Sequence, residues 1–256
     1  MKKGILALCA AFVLPTTAFA ALNDVGSGLI NDTTLNITWL KDANLVKTSC
    51  DANNSLWQAF DPTAVANNSG RSKIDICTDS GVLNWYEAEA WIGILNAQNY
   101  SGYNDWRQPA TVQPDLTCSL TDTGGQNRGF RCTGSELGHL FNVSLGNPNS
   151  LDDSCSHSCL TNTGPFNNMQ SSSYWSGTDY APGSPIAWLF HTSAGFQDQF
   201  LKNFANLFVW PVRSGQVAVA PTGTAQAVPV PVLSGFGLAA LSFLLAGLAG
   251  RFIQHK

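Results

Sequence analysis

Six cysteines, each set in a polar stretch, limit what this chain can become: Cys50, Cys77, Cys118, Cys132, Cys155 and Cys159. A seventh, Cys9, lies in a segment laid out like a secretory signal. Lys2 and Lys3 form its charged end, Ile5 to Leu14 its apolar run, and Ala18-Phe19-Ala20 its small-residue cleavage site. Removing residues 1–20 gives a mature chain starting at Ala21. An even set of cysteines in an exported body reads as disulfides. Local pairs are expected: Cys50 with Cys77, Cys118 with Cys132, and Cys155 with Cys159. Each pair closes a loop rich in Asn, Ser, Thr, Asp and Gly, which buries too little apolar surface to order itself without a clip. Cys155-Ser156-His157-Ser158-Cys159 also has the spacing of half a zinc site, but no second Cys/His pair accompanies it.

The other end of the chain is also apolar. Residues 216–231 form a linker of Ala, Val, Pro, Gly and Thr, and Val232 to Gly250 is almost wholly apolar. That length suffices for a membrane helix. Arg251, His255 and Lys256 follow it, which places that end in the cytoplasm and the body outside. With the basic residues of the two ends set aside, nine basic and seventeen acidic residues remain, a balance of −8. Such a body is a poor partner for nucleic acid or other polyanions. All eight tryptophans fall between Trp39 and Trp210, enough aromatic bulk for one real core over residues 21–215.

Within that body the order of elements predicts an α+β fold. Gly28 to Ile30 and Ile37 to Leu40 read as strands around a polar turn, and Cys50 to Asp79 reads as loop. Asn84 is an N-cap with Glu87 as its capping-box partner. Trp85, Ala88, Ile92 and Leu95 then line one face of a helix, with Glu87 and Glu89 toward water. A second helix is expected with Thr133 as N-cap and Glu136 reaching back to it, ending at Gly146-Asn147-Pro148. Tyr174 to Ser176, Ala187 to Phe190, Gly195 to Gln197 and Phe208 to Arg213 read as strands. Pro211 puts the last at an edge or a bulge. Between the helices lies Tyr103-Asn104-Asp105-Trp106-Arg107-Gln108-Pro109-Ala110, in which Trp106 reads as core. Arg107 and Glu136 are expected to pair and lock this stretch to the second helix.

Taken together, Gly28-Leu29-Ile30, Leu35 to Leu40, Trp85 to Leu95, Gly102 to Arg107, Ser135-Glu136-Leu137, Tyr174-Trp175-Ser176 and Val212-Arg213 resemble the Lcl C-terminal domain family, over about Asp24 to Gly215. The resemblance implies a C-type-lectin-like domain: two helices with short twisted antiparallel strands, followed here by one C-terminal transmembrane helix. It also implies adhesion or carbohydrate binding rather than catalysis, with a structural surface or matrix protein lacking a specific ligand as the alternative. This chain departs from the family in having Gln108-Pro109-Ala110 where Leu-Pro-Thr is usual, and in a long insertion, Val112 to Arg131. Val228-Pro229-Val230-Pro231, the apolar segment 232–256 and Arg251 are similar to PEP-CTERM sorting tails. That similarity implies an exosortase-like enzyme and exopolysaccharide as partners, with a membrane held through the C-terminal segment. The expected location is the surface or matrix of a bacterium.

Several groups are candidates for chemistry. Trp175, Asp179 and Tyr180 are the expected ligand contacts, because a polar loop on a rigid scaffold often carries function and an aromatic face can stack on a sugar. Asp105, Trp106, Arg107 and Glu136 are expected to be structural. No cofactor is expected. Calcium is the alternative, through Asp42, Asn44, Asp51 and Asn53 or through Gln113-Pro114-Asp115, which resembles a calcium-lectin tripeptide. The plainer reading of the first group is a solvated turn. His139 and His191 have no cysteine or serine nucleophile in recognisable spacing nearby, so a hydrolase is the least favoured reading.

Overall fold

A computed structural model describes residues 22–218, except 153, 154, 156 and 205. The expected signal, most of the linker and the expected membrane segment therefore lie outside the described residues. The described chain opens with three antiparallel strands, β1 (Leu22–Gly26), β2 (Leu29–Asp32) and β3 (Ile37–Leu40). Three short helices follow: α1 (Leu45–Asp51), α2 (Ser55–Ala59) and α3 (Lys73–Thr78). The long helix α4 is Trp85–Ala97. A hairpin of β4 (Leu120–Thr121) and β5 (Asn127–Phe130) precedes α5 (Glu136–His139), which runs on into a π-helical turn, Leu140–Ser144. The chain closes with β6 (Ser173–Asp179), β7 (Ile186–His191), β8 (Phe196–Leu201) and β9 (Val212–Ser214). These strands make two antiparallel sheets, one ordered β1-β2-β3-β9 and the other β4-β5-β8-β7-β6.

This corrects the expected fold class. The body is a mixed α/β structure with two sheets and five α-helices among the described residues, not two helices with strands around them. The missed helices share one cause. Asn44, Asn54 and Ser72 look like turn residues in sequence, yet each side chain accepts an N–H from the first turn of a helix. Such residues serve turns and N-caps by the same hydrogen-bonding chemistry. The expected membrane helix is not shown either: among the described residues no helix is long and apolar enough to cross a membrane.

Other local expectations fared unevenly. Asn84 caps α4 and Glu87 closes the capping box. Glu87, expected toward water, is instead fully buried, because Ser69 donates to it through both its N–H (2.7 Å) and its hydroxyl (2.6 Å). Trp91 joins Ala88, Ile92 and Leu95 on the buried face, while Trp85 stays half-exposed. Ser135, not Thr133, is the cap position of α5. Pro211 directly precedes β9, which is an edge strand as a proline requires.

The core is aromatic and joins both sheets. Trp210 packs against Trp39 with ring centroids 4.9 Å apart, edge-on to Phe166 at 4.8 Å, and beside Tyr174 at 5.6 Å. Its indole N–H donates to Leu40 O at 2.8 Å, so the polar edge of a wholly buried ring is satisfied. Cys50 is bonded to Cys77, Cys118 to Cys132 and Cys155 to Cys159, the local pairs expected. At Gly138 of α5 an added Cβ would lie 2.4 Å from Cys132 O. Only glycine lets the helix approach the second clip that closely.

Trp210→Ala removes a ring that touches both sheets and strands the Leu40 carbonyl. It should cost about 3–5 kcal/mol in urea denaturation of the oxidised protein. A loss below about 1 kcal/mol would place the core elsewhere.

Candidate functional site

The central stretch is bound on every side. Trp106 is buried; its N–H donates to Asn96 Oδ1 at 2.7 Å and its indole N–H to Tyr100 O at 3.0 Å. Asp105 accepts two bonds from Arg213 of β9, at 2.7 and 3.0 Å, and the Arg213 guanidinium lies 4.1 Å from the Tyr103 ring centre. That guanidinium holds the Asp105 carboxyl below its ordinary range. The backbone of Arg107 exchanges hydrogen bonds with Val212, at 2.8 and 2.9 Å, adding a rung beside β9.

The side chain of Arg107 turns to α5. Its Nη1 and Nη2 donate to the two oxygens of Glu136 at 2.8 and 2.6 Å, and Nη1 also reaches Gln108 O at 3.1 Å. Ala110 N–H donates to the same carboxylate at 2.7 Å. This two-pronged contact keeps the Arg107 charge in place and raises its pKa. The arginine side chain is 35 % exposed and the glutamate 14 %, so the pair is only partly withdrawn from water. Glu136 reaches forward to Arg107 and Ala110 rather than back to a helix cap.

Between this pair, α4 and β6 lies a cleft. It follows from a bulge. β6 carries extra residues between Trp175 and Asp179, so Ser176, Gly177 and Thr178 are not laddered to β7. They bind the central stretch instead. Gly177 N–H and Ser176 Oγ donate to Pro109 O at 2.9 and 2.8 Å, and Thr111 N–H donates to Thr178 Oγ1 at 2.9 Å. A Cβ on Gly177 would stand 3.1 Å from Gln108 Cβ, tight enough to push the two walls apart. Bulges of this kind redirect side chains beside functional sites. The cleft has a volume of about 230 Å³ and is lined by Glu89, Arg107, Gln108, Ala110, Gly177 and Thr178.

Two groups in it are poorly served. Gln108 is 3 % exposed; its Nε2 donates to Glu89 Oε1 at 2.6 Å, but its Oε1 is buried without a partner. Glu89 has exposed surface, yet its carboxyl is held above the ordinary range. Desolvation in the cleft is the main cause, while Gln108 and Lys202 pull the other way. Lys202 is committed nearby: its Nζ is 2.5 Å from Asp179 Oδ1 and 4.2 Å from the Trp85 ring centre. The Trp85 indole N–H donates to Ser176 O at 2.8 Å. Trp85 and Glu89, one turn apart on α4, thus both face the bulge.

The expected ligand contacts fare differently. Trp175 is fully buried and its indole N–H donates to Leu83 O at 2.9 Å, so it offers no face to a ligand. Tyr180 is half-exposed, but its hydroxyl donates to Asp122 at 2.7 Å and its ring packs on Trp188. Asp179 is held by Lys202 at the rim. Sequence reasoning missed Glu89 and Gln108. The one available signal was the departure Gln108-Pro109-Ala110, which puts an amide where an apolar residue is usual.

The calcium candidates are engaged with the protein itself. Gln113 exchanges two bonds with the Asn127 backbone, and Asp115 accepts from Thr117 and Gly134. Asp42 accepts from Asn44, Thr48 and Asn168, and Asp51 pairs with Lys47. Asn44 and Asp51 line a more open cavity of about 480 Å³ with Lys47, Thr48, Ala52, Asn168 and Gln170, whose side chains bond largely to each other. Asn53 lies next to α1 with φ 45°. The described groupings of metal-binding residue types are Cys50, Asp51, Cys77 and Asp115, Cys118, Cys132; both contain a disulfide, whose sulfurs are not thiolates. His139 Nδ1 lies 3.3 Å from Thr133 O. His191 Nδ1 lies 2.5 Å from Ser173 Oγ across the β6–β7 ladder, a neighbour that sequence spacing did not reveal. Burial lowers the pKa of that histidine.

A disulfide-clipped body with a polar cleft, followed by a sorting tail, describes an exported, surface-associated protein. The profile of the Lcl C-terminal domain matches residues 28–213, and the chain belongs to that family. Residues 228–255 match the IPTL-CTERM motif, a sorting-signal-like C-terminal motif in keeping with the expected sorting tail. No curated protein and no solved structure matches the chain.

The raised carboxyl of Glu89 fixes the sign of a pH effect. An acid whose folded pKa lies above its unfolded value contributes stability that is present below the unfolded pKa and lost as pH rises through the folded one. Glu89→Gln should therefore melt at or above the parent near about pH 7 and lose that advantage near about pH 4. A variant that melts lower only at the higher pH would show that Lys202 and Gln108 outweigh desolvation.

Proposed function

We propose that this domain binds carbohydrate without catalysis and so serves adhesion of the surface to polysaccharide, the cell's own exopolysaccharide being the partner that fits the sorting tail. The proposed organisation is a signal over residues 1–20, the binding domain over 21–215, a linker over 216–231 and a sorting segment over 232–256, with a sorting enzyme as the tail's partner. The cleft beside α4 carries this reading. It combines a buried amide oxygen lacking a donor, a carboxyl with one hydrogen-bond partner and no ion pair among the described residues, and a half-exposed tryptophan nearby, the mix of polar fixation and aromatic surface that sugar recognition uses. Asp179 and Lys202 form the polar rim. The excess of acidic groups in the body favours a neutral or amine-bearing polysaccharide over a sulfated one.

Glycan panels probed with the mature chain at two salt concentrations test this. Saturable retention on a neutral or amine-bearing polysaccharide is expected, changing little with salt, because screening acts mainly between exposed charges more than about 10 Å apart at 0.1 M and much less on close, partly buried contacts. Tight retention on heparin that vanishes with salt, or retention on no glycan, would contradict it.

A further inference from the structure

We infer that the cleft between α4 and the β6 bulge holds a primary ammonium group, the amine of an amino-sugar unit, between the Glu89 carboxylate and Gln108 Oε1. This rests on the carbohydrate reading and narrows it to one functional group. The hydrogen-bond balance of the cleft supports it. Arg107 already carries a carboxylate, with Nη1 and Nη2 on Glu136 and Nη1 also on Gln108 O. Lys202 is taken by Asp179 and lies on the Trp85 ring. Each cation is thus already neutralised by a carboxylate, which disfavours an anionic ligand.

What remains accepts. Glu89 has a single hydrogen-bond partner, Gln108 Nε2, and no ion pair among the described residues. Gln108 Oε1, on the same amide, is buried with no donor at all. Thr178 Oγ1 accepts from Thr111 and lines the same wall. The charges divide the same way: Glu136 is paired with Arg107 and Asp179 with Lys202, while Glu89 feels Lys202 only at a distance and has no ion pair of its own among the described residues. An ammonium has three N–H donors and no acceptor, so it complements both deficits at once. A buried acceptor without a donor carries its desolvation cost until a donor arrives. The space of about 230 Å³ lies below the range of about 300–1,000 Å³ usual for whole small molecules. It therefore suits one substituent or one ring of a longer chain that runs outside.

The test uses the mature chain with fully deacetylated and fully N-acetylated glucosamine oligomers of equal length, titrated calorimetrically where the sugar amine is charged and Glu89 ionised. The deacetylated form should bind about two- to fivefold more tightly, the size expected of one partly exposed ion pair. Glu89→Gln, on the surface of α4, should stay folded by circular dichroism and lose that preference. Equal binding of both oligomers by the parent would overturn the ammonium site and leave carbohydrate binding standing. A preference that survives in Glu89→Gln would place the amine elsewhere and also overturn it. Binding of neither oligomer, together with none on any other glycan, would sink both readings.

Discussion

The contact between Arg107 and Glu136 decides where the middle of this chain goes. Its two short hydrogen bonds, with a third from Ala110 N–H, tie the central stretch to the start of α5. With Trp106 locked into the core on one side and Arg107 laddered to Val212 on the other, the backbone from Arg107 to Thr111 has one path left. That path delivers Pro109 and Thr111 to the β6 bulge and points Gln108 at Glu89. The ion pair thus fixes position, and its effect on stability comes from the contacts it holds together. Partly exposed pairs contribute modestly, whereas leaving one member alone in a half-buried site costs more. Nearby, the Asp105–Arg213 pair does the equivalent for β9, with Tyr103 under the guanidinium.

The two sheets depend on the same region for their connection. Trp210, just before β9, sits between Trp39 of the first sheet and Tyr174 of the second. The loops around this centre contain little apolar bulk and are clipped by disulfides and by networks such as Asp42 with Thr48 and Asn168. A rigid aromatic centre with clipped polar loops is a scaffold that can carry a binding site while tolerating long insertions.

Much of this was legible in the sequence for identifiable reasons. The capping box at Asn84, the edge position forced near Pro211, the local disulfides and the Arg107–Glu136 contact each follow from short-range chemistry or from a charge beside a core residue. What failed depended on distant partners. Glu87 is buried where Ser69, eighteen residues earlier, comes back to meet it, and α1 to α3 were hidden because Asn and Ser cap helices and make turns alike. Trp175 lay next to a polar loop in sequence, but its side of β6 faces Leu83 and the core. Glu89 and Gln108 are nineteen positions apart, on α4 and the central stretch, and meet only in the folded chain, so neither spacing nor periodicity marks them.

A double-mutant cycle on Arg107→Ala and Glu136→Ala, read by urea denaturation, tests most directly whether this contact places the central stretch. A coupling energy of at least about 1 kcal/mol is expected, within the range for residues sharing a hydrogen-bonded pair. Additive losses with coupling near zero would mean that the stretch is placed by Trp106 and Val212 alone, and would contradict that expectation.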